Sequence, residues 1–124
     1  MGNPAQAINS SAVSKYPTYQ KTTAMISPAL TFVILDERED SINDGDFFTS
    51  VNDTTVITDI PASYHNGAAG FAFADGHSEI HKWLSAALRQ PIRSTPINDM
   101  PVNSANQGDA YWLCQHALGL GSFP

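Results

Sequence analysis

Apolar positions along this 124-residue chain come in short bursts separated by polar, turn-rich stretches, a pattern of short strands rather than long helices. The first burst, Thr31 to Leu35 (TFVIL), is rich in β-formers, follows Ser27-Pro28 and ends in acids, so it predicts a buried strand with an extended approach at Pro28. Asp36 to Phe48 is dense in carboxylates and amides and breaks at Asp44-Gly45, which predicts a loop. Thr54 to Ile60 (TTVITDI) predicts a second strand, ended by Pro61, whose missing N–H keeps it out of a central ladder.

The strongest pattern is Gly70 to Trp83 (GFAFADGHSEIHKW), alternating residues on either side of Asp75-Gly76. That pair is favoured in two-residue type I′ hairpins, a turn that sets Ala74 opposite His77 and Phe71 opposite Ile80. Phe71, Phe73 and Ile80 would then share the core face. Ala72, Ala74, His77, Glu79, His81 and Trp83 would share the other. Beyond Trp83, LSAALR (Leu84 to Arg89) predicts a short helix up to Pro91. Near the end, Asp109 as N-cap and Gly119 as stop predict a C-terminal helix of about two turns. Residues 1–15 are small, polar and aperiodic and read as a flexible arm or an expression remnant; residues 16–124 make one domain. The fold class is α+β.

Charge narrows the partners. Twelve acidic against six basic residues give a net charge of −6, and no basic stripe exists to hold nucleic acid or an anionic membrane. A single cysteine, Cys114, excludes an internal disulfide and a cysteine zinc cluster, and no signal peptide is visible. No phosphate-binding glycine loop is present, since the glycines at 67, 70 and 76 have neither a strand-to-helix setting nor a following Lys-Ser/Thr.

Three constellations could carry chemistry. On an alternating strand His77, Glu79 and His81 share one face, and His65 or Asp75 could complete a zinc-type set; the plainer alternative is a polar strand face. Asp36, Glu37, Asp40, Asn43, Asp44 and Asp46 are oxygen donors of the kind calcium uses, although Ile42 breaks the spacing of an EF-hand and a loop held by Asx turns would use the same residues. A hydrolytic triad lacks its nucleophile: Ser63 is not in a strand-turn-helix elbow, and Cys114 falls in the C-terminal helix. His65 itself is expected to hold a loop, by bonding to backbone or to the Asp75 turn. An exposed Trp83 and the tyrosines offer slight support for a carbohydrate- or surface-binding module.

His65, nine intervening residues and then Asp75-Gly76 resemble the H-x9-DG domain of prepilin-like proteins of planctomycete and verrucomicrobial type, which look like G-type pseudopilins of the type II secretion system. LDEREDSINDGDFF (Leu35 to Phe48), DIPASYHNGAAGFAFADGHSEIHKW (Asp59 to Trp83) and GDAYWLCQH (Gly108 to His116) are similar to blocks that recur in that order in the family. The family's prepilin leader and long apolar N-terminal helix are missing here. The resemblance implies a small antiparallel sheet head with the Asp-Gly hairpin, and a non-enzymatic role in a type II secretion or type IV pilus-like filament. It also implies a place at the periplasmic face of the inner membrane, with membrane attachment only through the missing helix. The partners implied are other pseudopilins and secretion-system subunits, and a loop-bound calcium is implied without its ligands. His65, Asp75 and Gly76 mark membership, with no catalytic role. The alternative is a metal-binding module or metal-dependent hydrolase using His65, Asp75, His77, Glu79 and His81.

Overall fold

Short apolar bursts bury themselves by pairing, and among the described residues they do so in two small antiparallel sheets backed by a helix. The computed structural model describes residues 21–25, 27–49 and 55–118. The arm expected over residues 1–15, Thr54 at the head of the second strand and Gly119 as helix stop lie outside the described residues. A three-stranded sheet has the order β1-β3-β4, with β1 Phe32–Leu35, β3 Ala68–Phe73 and β4 Ser78–Lys82. A two-stranded sheet pairs β2 Val56–Ile57 with β5 Met100–Pro101, and the helix α1 spans Gln107–Leu118. The chain is thus a small α+β domain with antiparallel sheets and a C-terminal helix.

The central strand β3 is the spine of the core. Its burial alternates from Gly70 onward, with Phe71 and Phe73 buried, and those two rings meet Trp83, Leu113 and Ile60 in one apolar cluster. Its partner β1 departs from the expected buried strand. It forms an edge of the sheet, and an irregularity between Phe32 and Ile34 sends both Phe32 and Leu35 toward the core while Ile34 is left 63% exposed. The approach at Pro28 is a short 3-10 turn, Pro28–Leu30, instead of extended chain. The second strand is shorter than expected because the chain leaves the ladder at Asp59. That residue's N–H donates to the Phe48 carbonyl at 3.2 Å, and its carboxylate accepts the Phe48 N–H at 2.6 Å.

The Asp75-Gly76 hairpin forms, but its turn is not the two-residue type. Type I′ needs positive φ at both residues; only Gly76 has it, at 95°, whereas Asp75 does not. Asp75 instead accepts the His77 N–H at 3.1 Å, while the Phe73 N–H donates to the His77 carbonyl at 2.9 Å and the Gly76 N–H to the Phe73 carbonyl at 3.0 Å. Ala74, Asp75 and Gly76 therefore make a three-residue loop, and every pair on β4 moves by one. Phe71 now faces Glu79, and Ala69 faces His81.

Because side chains alternate with period two, this one-residue shift turns the whole of β4 over. Ile80 points outward, 65% exposed, and Trp83 is drawn into the core at 1% exposure. Magnitude favours that choice. A tryptophan buries about 150–250 Å2, about 4–6 kcal/mol at 25 cal/mol per Å2, more than an isoleucine does. The indole N–H is also satisfied, donating to the Ala62 carbonyl at 2.8 Å.

LSAALR does not form the expected helix. Leu84 and Ser85 donate their N–H groups to the two carboxylate oxygens of Asp109 at 3.0 and 2.9 Å, and the following residues close a turn, with the Arg89 N–H on the Ala86 carbonyl. The same bonds explain why Asp109 is not the N-cap. It lies inside the first turn of α1, buried, and ties the helix to the end of β4. The helix begins earlier and runs longer than the two turns expected, with the Asn106 carbonyl accepting the Ala110 N–H.

Candidate functional site

The spaced motif straddles β3. At the strand's start, Asn66 and Gly67 take positive φ, 54° and 82°, and the His65 N–H donates to the Ala68 carbonyl at 3.1 Å. The His65 Nε2 lies 3.5 Å from Oδ2 of Asp36, the same oxygen that accepts the Gly70 N–H at 3.3 Å. Asp75 and Gly76 close the hairpin at the other end. With six residues in β3, the two halves of the motif stand about 20 Å apart. His65 thus holds its loop through backbone and Asp36, and not through the Asp75 turn.

Around the hairpin, His77 lies between two carboxylates. Its Nδ1 hydrogen-bonds to Asp75, and its Nε2 is 3.5 Å from Oε2 of Glu79. The bond with Asp75 raises the imidazole's pKa and lowers the carboxyl's. The ring also stacks on Phe73, centroids 4.5 Å apart and nearly parallel. Further along β4, the His81 ring stacks on Trp112 at 3.6 Å, and burial lowers its pKa, which favours the neutral ring in that stack. From α1, the His116 ring is 4.2 Å from Trp112, and its Nδ1–H donates to the Leu30 carbonyl at 2.8 Å.

Sequence reasoning had not joined His116 and Trp112 to this layer. Their spacing of four places both on one face of a helix, which was the available signal. The four residues proposed for a transition metal, His65, His77, Glu79 and His81, are not brought together. His65 is at the far end of β3, and His81 lies beneath the sheet on Trp112. Among the described residues, no three His, Cys, Asp or Glu side chains converge on a point fit for a metal ion.

The oxygen donors proposed for calcium also face different ways. Asp36 is turned to Gly70 and His65. Asp40 forms a buried pair with Arg38, whose Nη2 donates to it at 2.8 Å, and also accepts the Arg93 N–H. That pairing lowers the Asp40 pKa. Asp44 closes an Asx turn by accepting the Asp46 N–H, and Asn43 is exposed. Glu37 turns inward toward Ser41, Asp59 and Asp44, while Asp36 and Asp40 are engaged elsewhere, so the five residues Asp36, Glu37, Asp40, Asn43 and Asp44 are not gathered around one point.

That inward turn creates a strongly perturbed carboxyl. Burial, with repulsion from Asp59 and Asp44, pushes the Glu37 carboxyl up to about 7, against a hydrogen bond from Ser41; its Oε1 is buried with no hydrogen-bond partner. Asp59 is raised as well, chiefly by burial, although Phe48 and Asn98 donate to it. The Ser41 hydroxyl accepts the Ile60 N–H at 2.8 Å. Neither Asp59, Ser41 nor the fully buried Arg38 was foreseen as part of a polar core.

The Cys114 thiol is buried and pushed up to about 11, so it is a protonated thiol at neutral pH, the reverse of an activated nucleophile. Trp83, offered from sequence as an exposed ring for a glycan, is in the core. Among the described residues, no helix is long and apolar enough to cross a membrane. No protein-family model, curated protein or solved structure matches this chain.

Proposed function

We propose that the chain is the head of a non-enzymatic, pseudopilin-like subunit of a type II secretion or type IV pilus-like filament, working by assembly at the periplasmic face of the inner membrane. In this reading its partners are other pseudopilins and secretion-system subunits. One observation carries it. The residues of the spaced motif sit at the two ends of the central strand, each engaged in holding a turn, so the motif is explained by what it does for the fold. A motif that selects for a strand and its two turns suits a protein whose product is a shape. The ordered sequence blocks and the antiparallel sheet backed by a helix are compatible with a pseudopilin head.

The test is the N-terminus of the native gene product, read from the coding sequence and from mass spectrometry of the protein extracted from membranes. A processed, N-methylated residue followed by about 20 apolar positions supports the proposal. A native protein that begins at Met1 of this chain refutes it.

A further inference from the structure

The two edges of the three-stranded sheet differ. At β1 the pairing is irregular near Val33, and past Leu35 the chain is taken up by an isolated bridge between Glu37 and Pro61, so this edge is blunted. At β4 the pairing with β3 is regular throughout, and four of its five residues are exposed.

Hydrogen bonding fixes which groups of β4 face outward. Phe73 donates to His77 and Trp83 donates to Gly67, so the bonded pairs with β3 are those of His77, Glu79, His81 and Trp83. By the alternation of an antiparallel ladder, Ser78, Ile80 and Lys82 direct their N–H and C=O groups away from β3. Among the described residues, no side chain or backbone group outside the sheet bonds to these three.

We propose that β4 pairs antiparallel with β4 of a second copy of this chain, in a two-fold dimer centred on Ile80, joining two three-stranded sheets into one. Three independent features select this register. The three outward-facing residues fall in the bonded pairs Ser78 with Lys82, Ile80 with Ile80 and Lys82 with Ser78, so every free backbone group on the edge is used. Glu79 falls opposite the neutral His81 in the close, non-bonded pairs, so the two carboxylates are not set against each other across the axis. Ile80, at 65% exposure the most exposed apolar side chain on the sheet, meets its own copy at the centre. The edge is thus complementary to itself in hydrogen bonds and apolar contact and sets no like charges opposite each other, as a two-fold interface requires. This inference goes beyond the filament reading and does not depend on it.

Edge pairing buries less surface than a standard interface, so the dimer is a weak one, expected at chain concentrations from about 100 μM upward. Sedimentation velocity of the 124-residue chain across about 10 μM to 1 mM measures it. Ile80→Lys sets two like charges across the axis without touching the core, and should weaken dimerisation at least about tenfold. In parallel, Ile80→Cys places two thiols in a bonded pair with Cα atoms about 5.5 Å apart, within disulfide reach. That variant should cross-link under mild oxidation much faster than Ile34→Cys, an equally exposed position on the other edge strand. A chain that stays monomeric to about 1 mM, a dimer indifferent to Ile80→Lys, or equal cross-linking from the two cysteine variants each overturns the proposal.

Discussion

Replacing Glu37 by Gln should make the protein more stable at pH 8 and leave it nearly unchanged at pH 4.5. The side chain is turned inward, its Oε1 has no partner, and burial raises its pKa from 4.5 to about 7, with Asp59 and Asp44 adding repulsion. The folded protein therefore keeps this proton up to about pH 7, whereas the unfolded chain releases it near 4.5. Between those values the folded state binds more protons than the unfolded state, so stability falls as pH rises. At about 1.4 kcal/mol per pH unit, the loss across that interval reaches a ceiling of about 3 kcal/mol, reduced by whatever solvent screens the partly exposed carboxyl. Glutamine stays neutral at every pH and has an amide that can donate toward the same carboxylates. Asp59, whose pKa is raised by burial in the same direction, remains in both proteins and largely cancels in the difference. Urea unfolding followed by tryptophan fluorescence at pH 4.5 and pH 8 gives the comparison. A stability difference between Glu37→Gln and wild type that is the same at both pH values would refute the reasoning, because the effect would then be packing and not titration.

Four other substitutions probe separate joints of the fold. Arg38→Met removes the donors to Gln90 and Pro91 and strands Asp40 as a buried charge, so denaturation should show a loss of about 3–5 kcal/mol. Trp83→Phe deletes the hydrogen bond to the Ala62 carbonyl and leaves that oxygen buried, for a loss of about 1–3 kcal/mol in the same assay. Gly76→Ala meets open space and carries only the strain of φ 95°, about 1 kcal/mol, whereas Gly67→Ala adds a 2.8 Å clash with the Arg89 side chain and should have the lower melting temperature of the two.

Much of the sheet was legible because Asp75-Gly76 and the alternation around it announce a hairpin. What the pair does not announce is loop length, since Gly76 adopts positive φ in either turn. The type I′ register put Ile80 inside and Trp83 outside; a weighing of side-chain area would have preferred Trp83 in phase with Phe71 and Phe73. Asp109 was legible as a helix-start acid but not as the anchor of Leu84 and Ser85, because its partners lie about 25 residues away in sequence. The polar core was hidden for the same reason. Arg38 and Asp40 read as members of a solvated acidic loop, and only the return of residues 90–91 encloses them. The candidate ligands shared a composition, but nothing in their spacing fixed which way each would turn.

Arg38 also sets an order of events in time. The β3–β4 hairpin closes a loop of three residues, a local and rapid step, whereas Arg38 finds the Gln90 and Pro91 carbonyls across 52 and 53 residues of chain. Its pair with Asp40 is local, but the two long-range bonds are expected to form late, after the hairpin. On that account Arg38→Met accelerates unfolding while scarcely slowing refolding, and the arginine is a latch on the finished molecule that sets the lifetime of the native state.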